Sequence, residues 1–499
     1  MPNTFDNTRC ALASCLVLLA FSCPLFAQDH NTPKGPPLSG TEALTLEGDI
    51  SEQMIAGVDR FLLKELEASI DRRRQRWNRD VSSAAAYTKS IEPNRRNLAR
   101  IIGLRDPRVE FSDLELVATR SQNALVGKSD RYTITTVRWP VLDGVHGEGL
   151  LLDPVGVAPR AVVIVIPDCE QLPEAQAGLF SVPPVQTDSQ IARRLAESGC
   201  RVIVPLLINR RTQFSAIAGG RRKSTANHRE ILYRAAYQMG RHLIGYEVQK
   251  VLALVDWHLR PTGAPRLPIG VVGYGEGGLI SLYAAAVDTR ITAVGISGYF
   301  SSRQEMWEEP IDRNVFGLLA EFGDAELATL VAPRSVVIEA CAGPMIVIAA
   351  GGDGAPAKAR SPPAERVRSE VGRARELLDG LAGAAIDLIE SDGGTGISGS
   401  DQFLAMFLRR LGSLELAKSG PAPQHLDVEF DYLSRLQRQL RELSEFSERL
   451  VEESPRTRAE YFSKVDRRSG LEKFAESIAP YRTEFRDQIS GTIEAPLEK

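Results

Sequence analysis

A short apolar run, a cluster of glycines and a run of small residues follow one another between residues 268 and 286. The stretch reads Pro-Ile-Gly-Val-Val-Gly-Tyr-Gly-Glu-Gly-Gly-Leu-Ile-Ser-Leu-Tyr-Ala-Ala-Ala. Glycines at such a junction allow a strand to turn sharply into a helix, because the two backbones can then approach closely. The stretch therefore predicts a buried strand, a tight turn and a helix packed against that strand.

Apolar runs typical of buried strands alternate with helical patterns over residues 111–413. The runs predict a hairpin over residues 131–152 and strands over 161–167, 200–207, 269–272, 291–297, 334–339 and 385–390. The patterns between them predict helices over 188–198, 279–286, 363–381 and 401–411, and one long helix from Arg229 to Leu259. This alternation favours an α/β fold, a doubly wound and mostly parallel sheet with helices on both faces. Helical N-terminal and C-terminal segments flank the sheet.

The rest of the chain divides into shorter segments. Arg9, the apolar run 11–21 and Leu25-Phe26-Ala27 predict a signal peptide over residues 1–27. The run is too short to span a bilayer, so we expect an exported protein, periplasmic or extracellular, without stable membrane insertion. The other predicted segments are a disordered linker (28–48), a helical N-terminal segment (49–110), a second linker (414–426) and a helical C-terminal segment (427–499).

Composition excludes several function classes for the 499-residue chain. A net charge of −4 provides no positive surface for nucleic acid. Beyond residue 27, Cys169, Cys200 and Cys341 are too widely spaced for a disulfide framework or a metal site, so they are expected to be small buried side chains. The glycines of 351–354 lack the Lys-Ser/Thr of a phosphate loop. We therefore expect no metal and no cofactor.

From residue 111 to residue 412 the chain resembles the α/β-hydrolase superfamily. It is most similar to the dienelactone-hydrolase and acetyl-xylan-esterase-like branch of exported bacterial proteins. The matching motifs are Val162-Val-Ile-Val-Ile-Pro-Asp168, Arg241-His-Leu-Ile-Gly-Tyr-Glu-Val248, the glycine-rich junction and Ala332-Pro-Arg334. The resemblance implies a nucleophile in that junction, an acid after the penultimate strand and a histidine after the last strand. It also implies an oxyanion hole that includes the N–H of the residue after the nucleophile.

The residues at these positions imply a degenerate triad. Gly275 stands at the nucleophile position, Glu339 is the nearest residue to the acid position, and residues 391–400 contain no histidine. The six histidines beyond residue 27 are His30, His146, His228, His242, His258 and His425, and none lies where the base belongs. Acyl transfer requires both a nucleophile and a base. We therefore expect a binding or scaffolding protein that has lost serine-esterase chemistry, with a small-molecule or carbohydrate ligand.

A rearranged, carboxylate-based site is the alternative, and it would hydrolyse carboxylic or carbohydrate esters. Glu276 would be its nucleophile or general base, with Asp392 or Glu339 as a paired carboxylate whose pKa is raised by burial. The facing loop, Asp168-Cys169-Glu170, would form the oxyanion or ligand pocket together with Glu276. A simpler interpretation is that Glu276 caps the N-terminus of its own helix.

The C-terminal segment also echoes the N-terminal one. Ser90-Ile-Glu-Pro-Asn-Arg95 returns as Ser477-Ile-Ala-Pro-Tyr-Arg482, and Gly103 returns as Gly491. Either residues 427–499 repeat residues 58–103, or two charged helical segments agree by chance. A true repeat would be the opening of a second copy, with a second tandem hydrolase-like domain as a partner.

Overall fold

The structure is a computed structural model that describes residues 39–41, 45–118, 122–179, 184–215, 224–261, 266–426 and 431–491. The predicted signal peptide and most of the linker over 28–48 lie outside the described residues. The chain divides into two units, Met1–Leu62 and Leu63–Lys499. Helix α1 (Ile50–Arg73) begins in the first unit and ends in the second, which contains all other helices and strands described below.

Thirteen strands are present among the described residues. They are β1 (Glu115–Leu116), β2 (Leu125–Lys128), β3 (Tyr132–Leu142), β4 (Val145–Pro154), β5 (Val162–Ile166), β6 (Arg201–Pro205), β7 (Ile269–Tyr274), β8 (Ala293–Ser297), β9 (Ser335–Ala340), β10 (Ile346–Ile348), β11 (Ala357–Ala359), β12 (Ala385–Glu390) and β13 (Gln424–His425).

Twelve further α-helices are present in the same part of the chain. They are α2 (Ala84–Ser90), α3 (Glu92–Ile101), α4 (Pro173–Gln176), α5 (Ile191–Glu197), α6 (His228–Gln238), α7 (Leu243–His258), α8 (Glu276–Val287), α9 (Asp324–Val331), α10 (Ala364–Glu376), α11 (Asp401–Gly412), α12 (Tyr432–Tyr461) and α13 (Leu471–Glu484). No helix among the described residues has both the length and the apolar character that a membrane crossing requires.

One large sheet has the strand order β12-β9-β8-β7-β5-β6-β4-β3-β2-β13, and β1 pairs with β3. The six strands from β12 to β6 are parallel, and the remaining pairs are antiparallel. One hydrophobic cluster lies on each face, with α7, α8 and α9 on one side and α5 and α11 on the other. The predicted fold class is thus confirmed: a mostly parallel sheet flanked by helices, consistent with the α/β-hydrolase type.

The predicted single helix from Arg229 to Leu259 is wrong, because the structure has two helices there. α6 ends at Gln238, and α7 begins after His242, whose ring accepts a hydrogen bond from the Ile244 N–H at 3.0 Å. An imidazole in this position caps the new helix, since it satisfies one of the N–H groups left free at a helix start. The break brings α6 against the 3₁₀ turn Ile311–Arg313.

Candidate functional site

The glycine-rich junction forms the predicted strand–turn–helix. Gly275 joins β7 to α8 with φ +56° and ψ −118°, a conformation that side chains with a Cβ rarely adopt. A methyl group on Gly277 would lie 2.0 Å from the carbonyl oxygen of Ile166, so glycine is needed where α8 crosses β5. The sharp turn of a nucleophile elbow is therefore present, although its central residue carries no side chain.

Asp168 lies directly beside this turn. β5 and β7 are parallel neighbours with Ile166 opposite Gly273, so the loop after β5 emerges next to the elbow. The buried Asp168 carboxylate accepts a hydrogen bond from the Glu276 N–H at 2.9 Å through Oδ2, and from the Glu170 N–H at 3.0 Å through Oδ1. The Glu276 N–H is the oxyanion donor implied by the resemblance, and a side chain of the same protein already uses it.

Glu276 points away from that donor, into a fully buried cluster of charges. Its carboxylate accepts hydrogen bonds from Arg210 at 2.7 Å, Arg229 at 3.2 Å and Arg313 at 3.0 Å. Burial alone would raise the pKa of Glu276, but the charges of Arg313, Arg210 and Arg229 hold it well below its usual range. Glu276 does lie in the first turn of α8, as the capping interpretation expects, but its carboxylate bonds these arginines. A carboxylate held this firmly in its charged form is a poor general base.

Arg229 is the centre of this charge cluster. Its guanidinium donates to Glu247 at 2.9 and 3.0 Å, to Asp312 at 2.6 Å and to the Ile208 carbonyl at 2.8 Å, in addition to Glu276. Arg229, Glu247, Glu276 and Asp312 all have fully buried side chains. The cluster joins the loop after β6 to α6, α7, α8 and the turn Ile311–Arg313. It therefore holds the first turn of α8, and with it the elbow, in place.

Most residues of this charge cluster were not predicted from the sequence to act together. Glu247 stands inside the apolar stripe of α7, and Arg229 stands near the start of α6. A charge on an otherwise apolar helix face is the signal that could have indicated a buried ion pair, since unpaired charges are almost never fully buried. The identity of the partners depends on the tertiary fold.

Glu339 occupies a second buried position, under the loop after β12. Its carboxylate accepts four hydrogen bonds: from Ser297 Oγ at 2.6 Å, Ser391 Oγ at 2.7 Å, Gly399 N–H at 2.8 Å and Ser400 N–H at 2.9 Å. Residues 391–400 are the segment in which the resemblance places the catalytic histidine. In this protein Glu339, at the acid position, instead holds that loop against the sheet through these hydrogen bonds.

We expect the Glu339→Ala variant to lose roughly 3 kcal/mol of unfolding free energy, because the buried Gly399 N–H, the partly buried Ser400 N–H and two serine hydroxyls would lose their acceptor. Urea denaturation measures the loss, and hydrogen exchange should show the amides of 391–400 exchanging faster. The control is Asp392→Asn in the same loop. Because the Asp392 side chain is exposed, this substitution should change the unfolding free energy by no more than about 0.5 kcal/mol. Equal stability of the Glu339→Ala variant and the parent would contradict this role.

The structure brings together only some of the predicted site residues. Asp168, Cys169 and Glu170 lie beside Glu276, and Arg210 links them: it donates to Cys169 Sγ at 2.9 Å and, through its N–H, to Glu170 at 2.6 Å. Burial raises the pKa of the Cys169 thiol, which makes it a weak nucleophile. None of the hydrogen bonds of Glu276 reaches Glu339 or Asp392, so the predicted carboxylate pair is not assembled.

The two most deeply buried histidines are engaged elsewhere. His228 bonds Asn209 Oδ1 and the Phe214 N–H, while His242 bonds the Asn314 carbonyl and the Ile244 N–H. No group of three or more His, Cys, Asp or Glu side chains in the described part of the chain has an arrangement that could hold a metal ion.

No protein-family model matches the chain. No curated protein matches it either. Similar solved structures include methylesterase BT1017 (TM-score 0.45, 15% identity, covering 72% of this chain and 69% of that one). A glucuronoyl esterase from Solibacter usitatus has a TM-score of 0.40 and 12% identity, and the match covers 65% of this chain and 93% of that one. Acetyl xylan esterase 1 from Thermoanaerobacterium sp. JW/SL YS485 has a TM-score of 0.39 and 12% identity, and the match covers 67% of this chain and 96% of that one. By their names, these three neighbours are esterases. The reaction of this chain has to be argued from its own residues.

Proposed function

We propose that this protein keeps the α/β-hydrolase framework, has lost serine-esterase chemistry, and works as a binding or scaffolding domain. One observation carries the proposal: the Asp168 carboxylate bonds the Glu276 N–H at 2.9 Å. An oxyanion that develops on a substrate would have to displace a buried carboxylate from the donor it needs.

The roles of nucleophile and general base are also unfilled, because the residues at those positions lack the required side chains. Gly275 supplies no hydroxyl, and residues 391–400 supply no imidazole. The Glu339 carboxylate, which could have oriented a histidine, already accepts four hydrogen bonds. A single substitution therefore cannot restore the set of nucleophile, base and orienting acid.

For the ligand we propose a small molecule or a carbohydrate, as the resemblance implies. The signal-peptide pattern over residues 1–27 supports a proposed periplasmic or extracellular location. Neither proposal depends on catalysis.

A carboxylate-based ester hydrolase is the alternative function. Glu276 is enclosed by three guanidinium groups, whereas the Asp168 carboxylate lies at the N-terminus of α8 and has only N–H partners among the described residues. The alternative therefore rests on Asp168 as nucleophile or base rather than on Glu276.

Hydrolysis of short-chain aryl esters and of acetylated xylan by the parent and by the Asp168→Asn variant tests both functions. Our proposal predicts no turnover above the uncatalysed rate in either protein. Turnover in the parent that disappears in Asp168→Asn would establish the carboxylate-based enzyme instead. Arg96→Met, which changes an exposed side chain on α3, controls for preparation effects.

Restoring the nucleophile alone is expected to fail. In a Gly275→Ser variant the new Cβ would lie 2.5 Å from Asp168 Oδ2 and 2.7 Å from Pro344 Cγ. Together with the positive φ, this crowding should cost roughly 1–3 kcal/mol of unfolding free energy. Adding Asp168→Ala removes one clash and frees the Glu276 N–H, yet we still expect no ester hydrolysis because no base is present. Turnover by the double variant would show that a base exists near the elbow.

A further inference from the structure

Two segments of this chain have a similar series of structural elements, a 3₁₀ turn followed by about two further helical stretches. The first helical module, residues 74–103, comprises the 3₁₀ turn Arg74–Arg76, then α2 and α3. The second helical module, residues 462–491, comprises the 3₁₀ turn Phe462–Lys464, then α13 and the π-helical turn Phe485–Ser490. Both modules end at a glycine with positive φ, +77° at Gly103 and +72° at Gly491.

Their internal hydrogen bonds also agree. In the first module the Asp80 N–H donates to Ser90 Oγ at 3.0 Å, and Ser90 Oγ donates to the Tyr87 carbonyl at 2.8 Å. In the second, the Asp466 N–H donates to Ser477 Oγ at 2.9 Å, and Ser477 Oγ donates to the Phe474 carbonyl at 3.1 Å. Aligning Ser90 with Ser477 pairs Tyr87 with Phe474, Ile91 with Ile478, Arg95 with Arg482, Leu98 with Phe485 and Ile102 with Ile489. In this alignment Gly491 lies one residue beyond the counterpart of Gly103, and Asp466 lies one residue before the counterpart of Asp80.

The first module is anchored to the helices that flank the sheet. The side chains of Tyr87, Ile91, Leu98 and Ile102 are completely buried. Tyr87 Oη donates to the Thr329 carbonyl of α9 at 3.0 Å, and the Arg95 guanidinium donates to the Ala286 carbonyl near the end of α8. The apolar face of the module therefore packs against α8 and α9, and its arginine binds a helix C-terminus.

The same face of the second module is open. Phe485 is 62% exposed and Ile489 is 60% exposed, whereas their counterparts Leu98 and Ile102 are at 0%. Residues Phe462, Ile478, Tyr481, Phe485 and Ile489 line an apolar groove of about 500 Å³. The side chain of Arg482 is exposed and makes no hydrogen bond or ion pair with the described residues. An apolar surface of this kind normally marks an interaction site.

We propose that the second helical module is the docking surface for another α/β-hydrolase-like domain. The occupant would present the equivalent of the α8–α9 face: an apolar helix pair for Phe485 and Ile489, and a helix C-terminus whose carbonyl accepts from Arg482. We infer this kind of partner from the first module, because the first module binds the α8–α9 face within this molecule. The surface of this chain's own α8 and α9 is already covered by the first module.

A duplicated chain tests the proposal directly. Residues 104–461 are added after Gly491 in place of residues 492–499, so that each module precedes one sheet domain together with its helix α12, whose Leu436, Leu443 and Phe446 belong to the buried core. We expect the added domain to fold, and the amides of residues 471–490 to exchange about 100-fold more slowly, or slower still, than in the single chain. Phe485→Asp in the duplicated chain should abolish this protection. Leu471→Asp should not, because Leu471 is 88% exposed and its counterpart Ala84 is exposed in the first module.

In a second duplicated chain, a copy of residues 74–103 replaces residues 462–491. This chain shows whether the added domain folds when it follows the first helical module, which packs against the same domain in the natural protein. The proposal is overturned if that chain folds while the one with the natural second module does not. It is equally overturned if the added domain folds and residues 471–490 remain unprotected.

Discussion

Replacing Arg229 by methionine is expected to lower the free energy of unfolding by at least about 3–5 kcal/mol. The substitution removes the guanidinium that bonds Glu247, Glu276 and Asp312, and leaves three buried carboxylates with fewer positive partners. Since a domain is typically stable by only about 5–15 kcal/mol, the variant should unfold at much lower urea concentration, as measured by far-UV circular dichroism.

Three further variants separate the charge cluster from general effects of arginine removal. Arg96→Met removes an arginine whose side chain is 74% exposed, and should cost no more than about 0.5 kcal/mol. Arg229→Lys keeps the charge but cannot reach all the acceptors, so its loss should be intermediate. Arg229→Met with Glu247→Met should be less destabilised than Arg229→Met alone, because one fewer carboxylate stays uncompensated. If Arg229→Met and Arg96→Met cost the same, the cluster does not stabilise the fold.

The fold was predictable because its signals are local. Apolar runs of strand length, the glycines around Gly275 and the alternation of strands with helices depend only on neighbouring residues, and they identify the sheet. The break between α6 and α7 was missed because it depends on the His242 ring, which turns onto the Ile244 N–H and whose other nitrogen bonds the Asn314 carbonyl on a distant segment.

Only those features of the site that depend on the order of strands and helices along the chain could be predicted from the sequence. The vacant nucleophile and base positions can be read from the chain, since they depend on where strands end. The contact between Asp168 and the Glu276 N–H depends on β5 and β7 being neighbours, although the two residues are far apart in the chain. The direction of the Glu276 side chain depends on arginines from three segments, and this information is absent from the elbow itself.

Two buried histidines should make the protein sensitive to mild acid. The Nε2 of His228 accepts from the Phe214 N–H at 3.1 Å, and the Nδ1 of His242 accepts from the Ile244 N–H at 3.0 Å, so each ring must be neutral. Burial lowers the pKa of His228 to about 4, with a further contribution from Arg211. Burial likewise lowers the pKa of His242 to about 4, against the opposing effect of its bond to the Asn314 carbonyl.

The sign of the pH dependence follows from these lowered values. Between about pH 6.5 and pH 4 the unfolded chain binds protons that the folded protein does not, so stability falls as the pH is lowered through that window. Each histidine should contribute about 3 kcal/mol, which is fully present above pH 6.5 and lost near pH 4. Urea denaturation at half-unit pH steps measures the slope.

Removing the imidazoles should flatten that slope. We expect His228→Gln and His242→Gln each to lower stability at pH 7.5, yet to lose less than the parent between pH 6.5 and pH 4, with the double variant the flattest. His425→Gln is the control, since the His425 side chain makes no hydrogen bond among the described residues. A double variant that keeps the full slope of the parent would mean that other groups take up the protons. In that case the hydrogen bonds of these two rings would not govern acid unfolding.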